Sequence, residues 1–246
     1  MRGRMTLITG GMGDIGTAIC HEFINNGAKV IVADRSDKEK ATRWQTKQKE
    51  QGFDIGYVPV DVSDYDSCTK MAAMVENQFG GIDILINAAG TIEDASFRKM
   101  TKEQWNHVVH TDLDSVFNVT KQFIEGMINR QYGRIINLSS VNAEKGQFGQ
   151  TNYSSAKSGI YGFTKSLAQE VAKHGVTVNS ISPGYVESKM VLSIPESVRE
   201  KIITHIPVGR LAKPEEIAWA IAFLASERSA FITGANLAIN GGIHMY

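Results

Sequence analysis

Short apolar runs alternate along the chain with longer segments in which apolar residues recur at helical spacing. The runs are rich in valine and isoleucine and predict seven strands, at Met5–Thr9, Lys29–Ala33, Gly56–Val60, Ile82–Asn87, Arg134–Ser139, Thr177–Ile181 and Leu237–Ile239. The longer segments predict helices at Ile15–Asn25, Ser36–Gln51, Tyr65–Phe79, Lys102–Arg130, Tyr153–Lys173 and Pro214–Ala225. This alternation predicts an α/β fold, a doubly wound parallel sheet of about seven strands with helices on both faces.

The pattern runs on without a linker, a repeat or a low-complexity stretch, so we expect residues 1–246 to form one domain. The least regular region is Tyr185–His205, which follows a predicted strand and lies between Pro183-Gly184 and Pro207. It is predicted either as a mobile lid or as an ordinary surface excursion.

Composition narrows the classes of function. The 246 residues contain 26 Lys and Arg and 26 Asp and Glu, so the net charge is zero, whereas nucleic-acid-binding proteins usually have a basic excess. No run of about 18 apolar residues predicts a membrane span, and no apolar leader precedes the first strand. Cys20 is predicted as a small core residue, and a disulfide with Cys68 is not expected. We therefore expect a cytoplasmic protein without a metal site and without nucleic-acid or membrane partners.

A glycine-rich stretch lies between the first predicted strand and the first predicted helix. Its glycines let the backbone turn tightly and approach a pyrophosphate, and the helix N-terminus offers N–H groups and a favourable dipole to that anion. The sequence therefore predicts a dinucleotide site formed by Gly10, Met12, Gly13, Asp14, Ile15 and Gly16. Asp14 itself is expected to cap the helix, with its carboxylate turned away from the nucleotide.

Two charged residues at the end of the second strand bear on the choice of cofactor. Asp34 can accept hydrogen bonds from the adenosine ribose hydroxyls and would repel the 2′-phosphate of NADP(H), which favours NAD(H). Arg35 follows directly and could pair with that phosphate or stack on adenine, so NADP(H) stays possible. Asp34 as a plain residue of the strand-end turn is the structural alternative.

Tyr153 and Lys157 are four residues apart in a predicted helix and therefore lie on one face. An ammonium stabilises a phenolate, so we expect Lys157 to lower the pKa of Tyr153 from about 10 towards neutrality. Tyr153 could then donate a proton to a carbonyl oxygen, or remove one in the reverse reaction. Ser139 and Ser140 end a strand at the edge where ligands bind in such sheets. We expect one serine to orient the carbonyl oxygen and the other to cap backbone groups.

Together these motifs resemble the short-chain dehydrogenase/reductase family over nearly the whole chain. The resemblance implies a Rossmann-type sheet that binds a nicotinamide cofactor. It also implies that Ser140 stabilises substrate, that Tyr153 is the acid/base, and that Lys157 binds the nicotinamide ribose and tunes Tyr153. The other implied cofactor contacts are Asp61 and Val62 at the adenine, Asn87, Ala88, Ala89 and Gly90 beside the cofactor, and Pro183, Gly184, Val186 and Ser188 at the nicotinamide.

The chain departs from the family pattern at three positions. Asp14 stands where the loop usually has glycine, and Ala88 stands where the usual motif has asparagine. Asp112 aligns with the asparagine that completes the catalytic set and is thought to hold a water between the lysine and solvent. Asp112 could accept the same water, or it could pair with Lys157 and weaken the effect of that lysine on Tyr153.

Within the family, Lys145–Tyr153 and the C-terminal segment Asn240–Met245 resemble the enzymes that reduce acetoacetyl-CoA for polyhydroxybutyrate synthesis. That resemblance implies an acyl-CoA substrate, reduced here to (R)-3-hydroxybutyryl-CoA. Its implied substrate contacts are Asp94, Lys99, Ser140, Gln147, Phe148, Gln150, Tyr153 and Tyr185, with Arg98 and Lys99 at the mouth. Phe148 as loop packing and Lys99 as a solvated charge are the structural alternatives.

Two other functions stay open on the sequence. One is reduction of 3-oxoacyl groups on acyl-carrier protein, which shares nearly every motif. The other is a cofactor-binding regulatory or scaffolding protein with weak catalysis, which the three departures motivate. The resemblance also implies a homotetramer, and Val108, Phe117, Phe163 and Leu167 fit its interfaces, although burial within one chain would explain them equally well.

Overall fold

The computed structural model of the protein describes residues 1–245, apart from the side chain of Met190. Within them, seven strands form one sheet in the order β3-β2-β1-β4-β5-β6-β7, and every neighbouring pair is parallel. The strands are β1 Met5–Thr9, β2 Lys29–Asp34, β3 Ile55–Pro59, β4 Ile84–Asn87, β5 Gly133–Leu138, β6 Val176–Pro183 and β7 Asn236–Ile239. The predicted doubly wound parallel sheet is therefore confirmed, and the predicted strand bounds lie within two residues of these.

The helices lie in two layers, one on each face of the sheet. They are α1 Asp14–Asn25, α2 Lys38–Glu50, α3 Tyr65–Phe79, α4 Lys102–Val109, α5 Ser115–Asn129, α6 Val141–Lys145, α7 Thr151–Val171, α8 Lys189–Leu192, α9 Glu196–Thr204 and α10 Pro214–Ala225. No helix among the described residues has the length and apolar character needed to cross a membrane.

Successive residues of a strand supply the two cores in turn. Ile8 faces the layer of α1 and α10, where it is buried with Phe23 and Ile221, whereas Leu7 faces the layer of α3, α5 and α7 with Met71 and other buried residues. Full burial of one such side chain stabilises the fold by about 1.5–3 kcal/mol. Because both faces are covered, the strands carry apolar residues continuously rather than alternately.

Two predictions about helices are wrong. The segment Lys102–Arg130 is not one helix, because a π-helical turn at His110–Asp114 separates α4 from α5. The region Tyr185–His205 is not irregular, because it contains α8 and α9. Its base is pinned by a parallel bridge between Val186 and Ala212. Short polar helices such as α9, which has no buried residue, lack the apolar periodicity that reveals longer helices.

The order of the strands places a crevice at the carboxyl ends of β1 and β4. The chain builds outward from β1 to β3 and then returns to the other side of β1 to form β4. The helices that follow β1 and β4, α1 and α5, therefore pack on opposite faces of the sheet, and ligands bind at such a point in open α/β sheets.

Candidate active site

The loop after β1 lies against the loop after β4. The Thr9 hydroxyl accepts hydrogen bonds from the backbone N–H groups of Ala88 and Ala89, at 3.1 and 3.2 Å. Gly10 has φ +65°, and a Cβ there would lie 2.9 Å from Cα of Ala89. Only glycine combines that backbone conformation with so close an approach. The contact between Ala88 and Thr9 is made by the backbone N–H group of Ala88 and not by its side chain.

The N-terminus of α1 is open to an anion. Its N-cap is Gly13, which makes no side-chain cap, so the first N–H groups of this 12-residue helix are left for another acceptor. A Cβ at Gly16 would lie 2.5 Å from the Gly10 carbonyl oxygen, so glycine is needed for the helix to begin this close to the loop. Met12 and Ile15 pack on the core beside it. These features fit a pyrophosphate, the central group of a nicotinamide dinucleotide.

Asp14 does not cap α1, and that prediction is wrong. Its carboxylate accepts a hydrogen bond from the backbone N–H of Lys189, at 2.6 Å, and the Lys189 ammonium lies 3.9 Å away. Lys189 is the first residue of α8, so Asp14 ties the glycine loop to the segment after β6. The partner is 175 positions away in the chain, and no local pattern announces it.

At the end of β2, Asp34 is part of a turn and still carries acceptor capacity. One carboxylate oxygen accepts hydrogen bonds from the N–H and hydroxyl of Ser36, at 3.0 and 2.8 Å. Arg35 is exposed and lies 4.0 Å from Asp61, a separation at which a surface pair contributes little. Burial alone would raise the pKa of the Asp61 carboxyl, but hydrogen bonds from Ser63 and the charge of Arg35 lower it.

Asn87 and Val62 contribute to the core at this edge. The Asn87 amide donates to Thr120 and to Asn137, at 3.1 and 2.8 Å, so its side chain points into the core and only its backbone borders the crevice. Val62 is buried, and its carbonyl accepts from Asn118 at 3.0 Å. The expectation that Asn87 lies beside the cofactor therefore depends on its backbone.

Residues after β6 form the opposite end of the crevice. Pro183 is buried at the end of the strand, and the Gly184 N–H donates to Ile239 at 2.9 Å. Val186 is buried on its bridge to Ala212. The hydroxyl of Ser188 caps α8 by accepting from Val191 at 3.4 Å. The segment predicted to meet the nicotinamide therefore begins at the same sheet edge as the glycine loop.

The two serines after β5 have different partners. The Ser139 hydroxyl donates to the carbonyl of Lys157 at 2.8 Å, which fixes α7 against β5. The Ser140 oxygen accepts from the N–H of Asn142 at 3.1 Å and caps α6. The serine assigned to catalysis is therefore also a cap, and its hydroxyl can at the same time donate to the Tyr153 oxygen.

Lys157 and Asp112 form a buried ion pair. The ammonium lies 3.1 Å from the carboxylate, and the side chains are 5% and 0% exposed. The ammonium also donates to the carbonyl of Leu138 at 3.0 Å, and the second Asp112 oxygen accepts from the N–H of Thr91 at 2.7 Å. A Cβ at Gly90 would lie 2.8 Å from Asp112, so the loop after β4 passes directly over the pair. Burial alone would lower the pKa of Lys157, but Asp112 raises it above its ordinary value.

Lys157 acts to lower the pKa of Tyr153, as expected, but the net direction of the shift is upward. Burial raises this pKa above its ordinary value, the charge of Lys157 and a hydrogen bond from Ser140 lower it, and the Asp112 carboxylate raises it again. The ammonium lies 5.6 Å from the ring centroid of Tyr153 and only 3.1 Å from Asp112. The carboxylate therefore offsets the charge that was expected to stabilise the phenolate.

The predicted acyl-binding residues fall into two groups. Gln150 is buried, and its amide is held at both ends, accepting from Asn142 at 2.9 Å and donating to Asp94 at 3.0 and 3.1 Å. The hydrogen bonds from Gln150 to Asp94, together with the backbone bond between Ala95 and Gly149, hold the loop after β4 against the loop before α7. The exposed group comprises Arg98, Lys99, Gln147 and Phe148. Phe148 is 88% exposed, which excludes the alternative that it is packed in the loop.

Asn142 and Thr91 are site residues that sequence reasoning missed. Asn142 supports both Ser140 and Gln150, and Thr91 supports Asp112. Both act through a backbone group or a buried amide, and such roles depend on neighbours that only the fold brings together. Tyr185, at the base of α8, feels the charge of Asp94, which adds to burial in raising its pKa.

Comparisons with known proteins agree over the full length. A family model described as enoyl-(acyl carrier protein) reductase matches residues 11–244. The chain is 50% identical over 244 residues to the acetoacetyl-CoA reductase of Allochromatium vinosum, covering 99% of each chain. It is 50% identical over 245 residues to the acetoacetyl-CoA reductase of Cupriavidus necator, covering 100% of each.

A more distant relative and a solved structure complete the comparison. The chain is 39% identical over 245 residues to the 3-oxoacyl-[acyl-carrier-protein] reductase FabG of Vibrio cholerae, covering 100% of this chain and 99% of that one. The crystal structure of gox2181 superposes with a TM-score of 0.93 at 29% identity, covering 99% of this chain and 96% of that one.

Proposed function

The chain belongs to the short-chain dehydrogenase/reductase family, and from this premise we propose that it reduces acetoacetyl-CoA to (R)-3-hydroxybutyryl-CoA. The observation that carries the proposal is the convergence of Ser140, Tyr153 and Lys157 at the carboxyl edge of the sheet, beside an open glycine loop. Full-length relatives at 50% identity that are acetoacetyl-CoA reductases support the choice of substrate.

The chain's own groups handle the proton. When bound, a reduced nicotinamide supplies a hydride to the ketone carbon. Tyr153 donates its hydroxyl proton to the ketone oxygen, so the C=O bond becomes a C–O–H group and the phenolate regains a proton from solvent. Ser140 turns its hydroxyl hydrogen from Tyr153 toward the same oxygen and polarises the carbonyl. Lys157, which lies beside Tyr153 and under the loop after β4, would hold the nicotinamide ribose.

For the cofactor, we favour NAD(H) over NADP(H). The dinucleotide would lie along the carboxyl ends of the strands, with its pyrophosphate on Gly10–Gly16, its adenosine near Asp34 and Asp61, and its nicotinamide near Pro183–Ser188. Asp34 keeps acceptor capacity for ribose hydroxyls and would repel a 2′-phosphate. The Arg35 guanidinium, which could pair with that phosphate, lies 4.0 Å from the Asp61 carboxylate.

For the substrate, the wall made by Asp94, Gln150 and Tyr185 would face the short acyl chain. Phe148 and Lys99, both exposed, would meet the carrier end of the thioester at the mouth. The competing proposal is that the substrate is a thioester of acyl-carrier protein. It is supported by a relative at 39% identity, whereas the coenzyme A thioester is supported by relatives at 50% identity.

Assembly and location belong to the same proposal. We propose a homotetramer in the cytoplasm. Of the residues predicted at its interfaces, Val108 is buried within the chain, whereas Phe117 on α5 stacks on Tyr65 and is still 52% exposed.

Steady-state rates test the proposal directly. Consumption of NADH and of NADPH is measured with acetoacetyl-CoA and with acetoacetyl-acyl-carrier protein at matched concentrations. We expect turnover of the CoA thioester, with a higher kcat/KM for NADH than for NADPH. Turnover of the carrier-protein thioester alone would replace the substrate by the competing one. Tight NADH binding without turnover of either would instead indicate a non-catalytic cofactor-binding protein.

A further inference from the structure

The ion pair of Asp112 and Lys157 is held by residues from four segments of the chain. Asp112 lies on the π-helical turn, Lys157 on α7, Leu138 at the end of β5 and Thr91 on the loop after β4. The carboxylate is fully buried and meets one cation and one N–H group. A neutral amide would satisfy the N–H group of Thr91 equally well, so that contact does not require the negative charge.

We propose that Asp112 is a positioning residue that cancels the charge of Lys157, so that Tyr153 rests as a protonated phenol and the site favours ketone reduction over alcohol oxidation. This inference rests on the proposed function, since it concerns the proton that Tyr153 donates.

The charges around the phenol of Tyr153 act on its pKa in opposite directions. An unpaired ammonium beside a tyrosine lowers its pKa by about 1–3 units, and an added carboxylate acts in the opposite direction. The charged groups that act on Tyr153 are Lys157, Asp112 and Asp94, two of them negative. Burial raises the pKa of the Asp112 carboxyl, whereas the charge of Lys157, the N–H of Thr91 and His107 on α4 act to lower it. With burial added, the pKa of Tyr153 lies above its ordinary value.

The two directions of the reaction need opposite forms of Tyr153. Reduction needs the phenol, so its rate falls as pH rises through the tyrosine pKa. Oxidation needs the phenolate, so its rate rises through the same pKa. A raised pKa therefore extends the reduction plateau to alkaline pH and confines oxidation to more alkaline solutions.

The test replaces the charge and keeps the shape. In Asp112→Asn, Lys157 loses its counter-ion, so the pKa of Tyr153 should fall. In plots of rate against pH, we expect the alkaline limb for reduction and the acid limb for oxidation both to move to lower pH, by about 1–2 pH units. Asp114→Asn is the matched control, because Asp114 is on the same turn but pairs with His110 at the surface, 3.8 Å away. Its two limbs should stay where those of the unchanged protein are. Limbs that do not move in Asp112→Asn would overturn the inference.

A second readout needs neither substrate nor nucleotide. Tyrosinate absorbance is titrated in the unchanged protein and in Asp112→Asn, each with and without Tyr153→Phe, and the difference isolates Tyr153. In the unchanged protein we expect Tyr153 to titrate above about pH 10, the ordinary range, and to do so earlier in Asp112→Asn. Titration of Tyr153 near pH 7 in the unchanged protein would overturn the inference even if Asp112→Asn did not fold. An inactive protein with the expected titration would reject the proposed function and leave the charge balance standing.

Discussion

At the scale of single residues, a few buried charges decide where the catalytic proton rests. Lys157 and Asp112 are almost completely buried beside Tyr153, so each of their charges acts more strongly than it would at the surface. Removing one member of a buried ion pair usually costs about 3–5 kcal/mol, because the other charge is left without compensation. The pair therefore contributes to the fold as well as to the chemistry, which is why variants at Asp112 need a folding control.

The sequence predicts which residues meet at the site but not the balance among them. Tyr153 and Lys157 are four positions apart on a helix, and that spacing alone places them on one face. The net direction of the pKa shift of Tyr153 could not be predicted, because burial and the distance between Asp112 and Lys157 depend on the packing of three elements. The contact of Asp14 could not be predicted for a similar reason, since its partner Lys189 lies far away in the chain.

At the scale of elements, the π-helical turn between α4 and α5 places Asp112. A π turn adds a residue to the helix and changes the direction of the side chains within it, and such turns often occur at functional sites. Here it lies at His110–Asp114 and turns Asp112 toward α7, while Asp114 faces solvent. Apolar spacing continues on both sides of the turn, so the sequence predicts one unbroken helix from Lys102 to Arg130.

The contact between Asp14 and α8 gives a prediction at this scale. In Asp14→Ala the N–H of Lys189 loses its acceptor, and a lost cap costs about 1 kcal/mol. The amides of α8 should then exchange hydrogen about fivefold faster, as measured by mass spectrometry.

Asp14→Asn is the control for that experiment, because an amide oxygen can still accept from Lys189. Its exchange rates should stay close to those of the unchanged protein. If Asp14→Ala exchanged at the original rate, Asp14 would not hold α8 in solution.

At the scale of the whole molecule, the alternation of strands and helices limits the possible orders of the strands in the sheet. Each parallel connection must cross the sheet through a helix, and the crossing is right-handed in nearly every case, which leaves few arrangements. The strand order reverses between β1 and β4, and this point determines where the crevice lies. Fold and site location could therefore be predicted, whereas the surfaces between chains could not, because one chain's pattern does not separate its own core from an interface.

The proposed tetramer is tested by light scattering. The unchanged protein should have four times the chain mass of 27.0 kDa. Phe117→Asp places a charge on an exposed aromatic position of α5 and should lower the assembled mass. Val198→Asp, at a position on α9 that is 46% exposed, is the control and should leave the mass unchanged. A monomer for the unchanged protein would refute the tetramer.

The most direct test of the whole account is the rate of acetoacetyl-CoA reduction by Tyr153→Phe, measured beside its NADH affinity. Removing the proton donor should lower kcat by at least about a hundredfold, while the dissociation constant for NADH changes little. Tyr132→Phe, which removes a tyrosine hydroxyl next to the amino end of β5, should reduce the substrate at the original rate. A Tyr153→Phe protein that reduced acetoacetyl-CoA as fast as the unchanged protein would contradict the role assigned to this phenol.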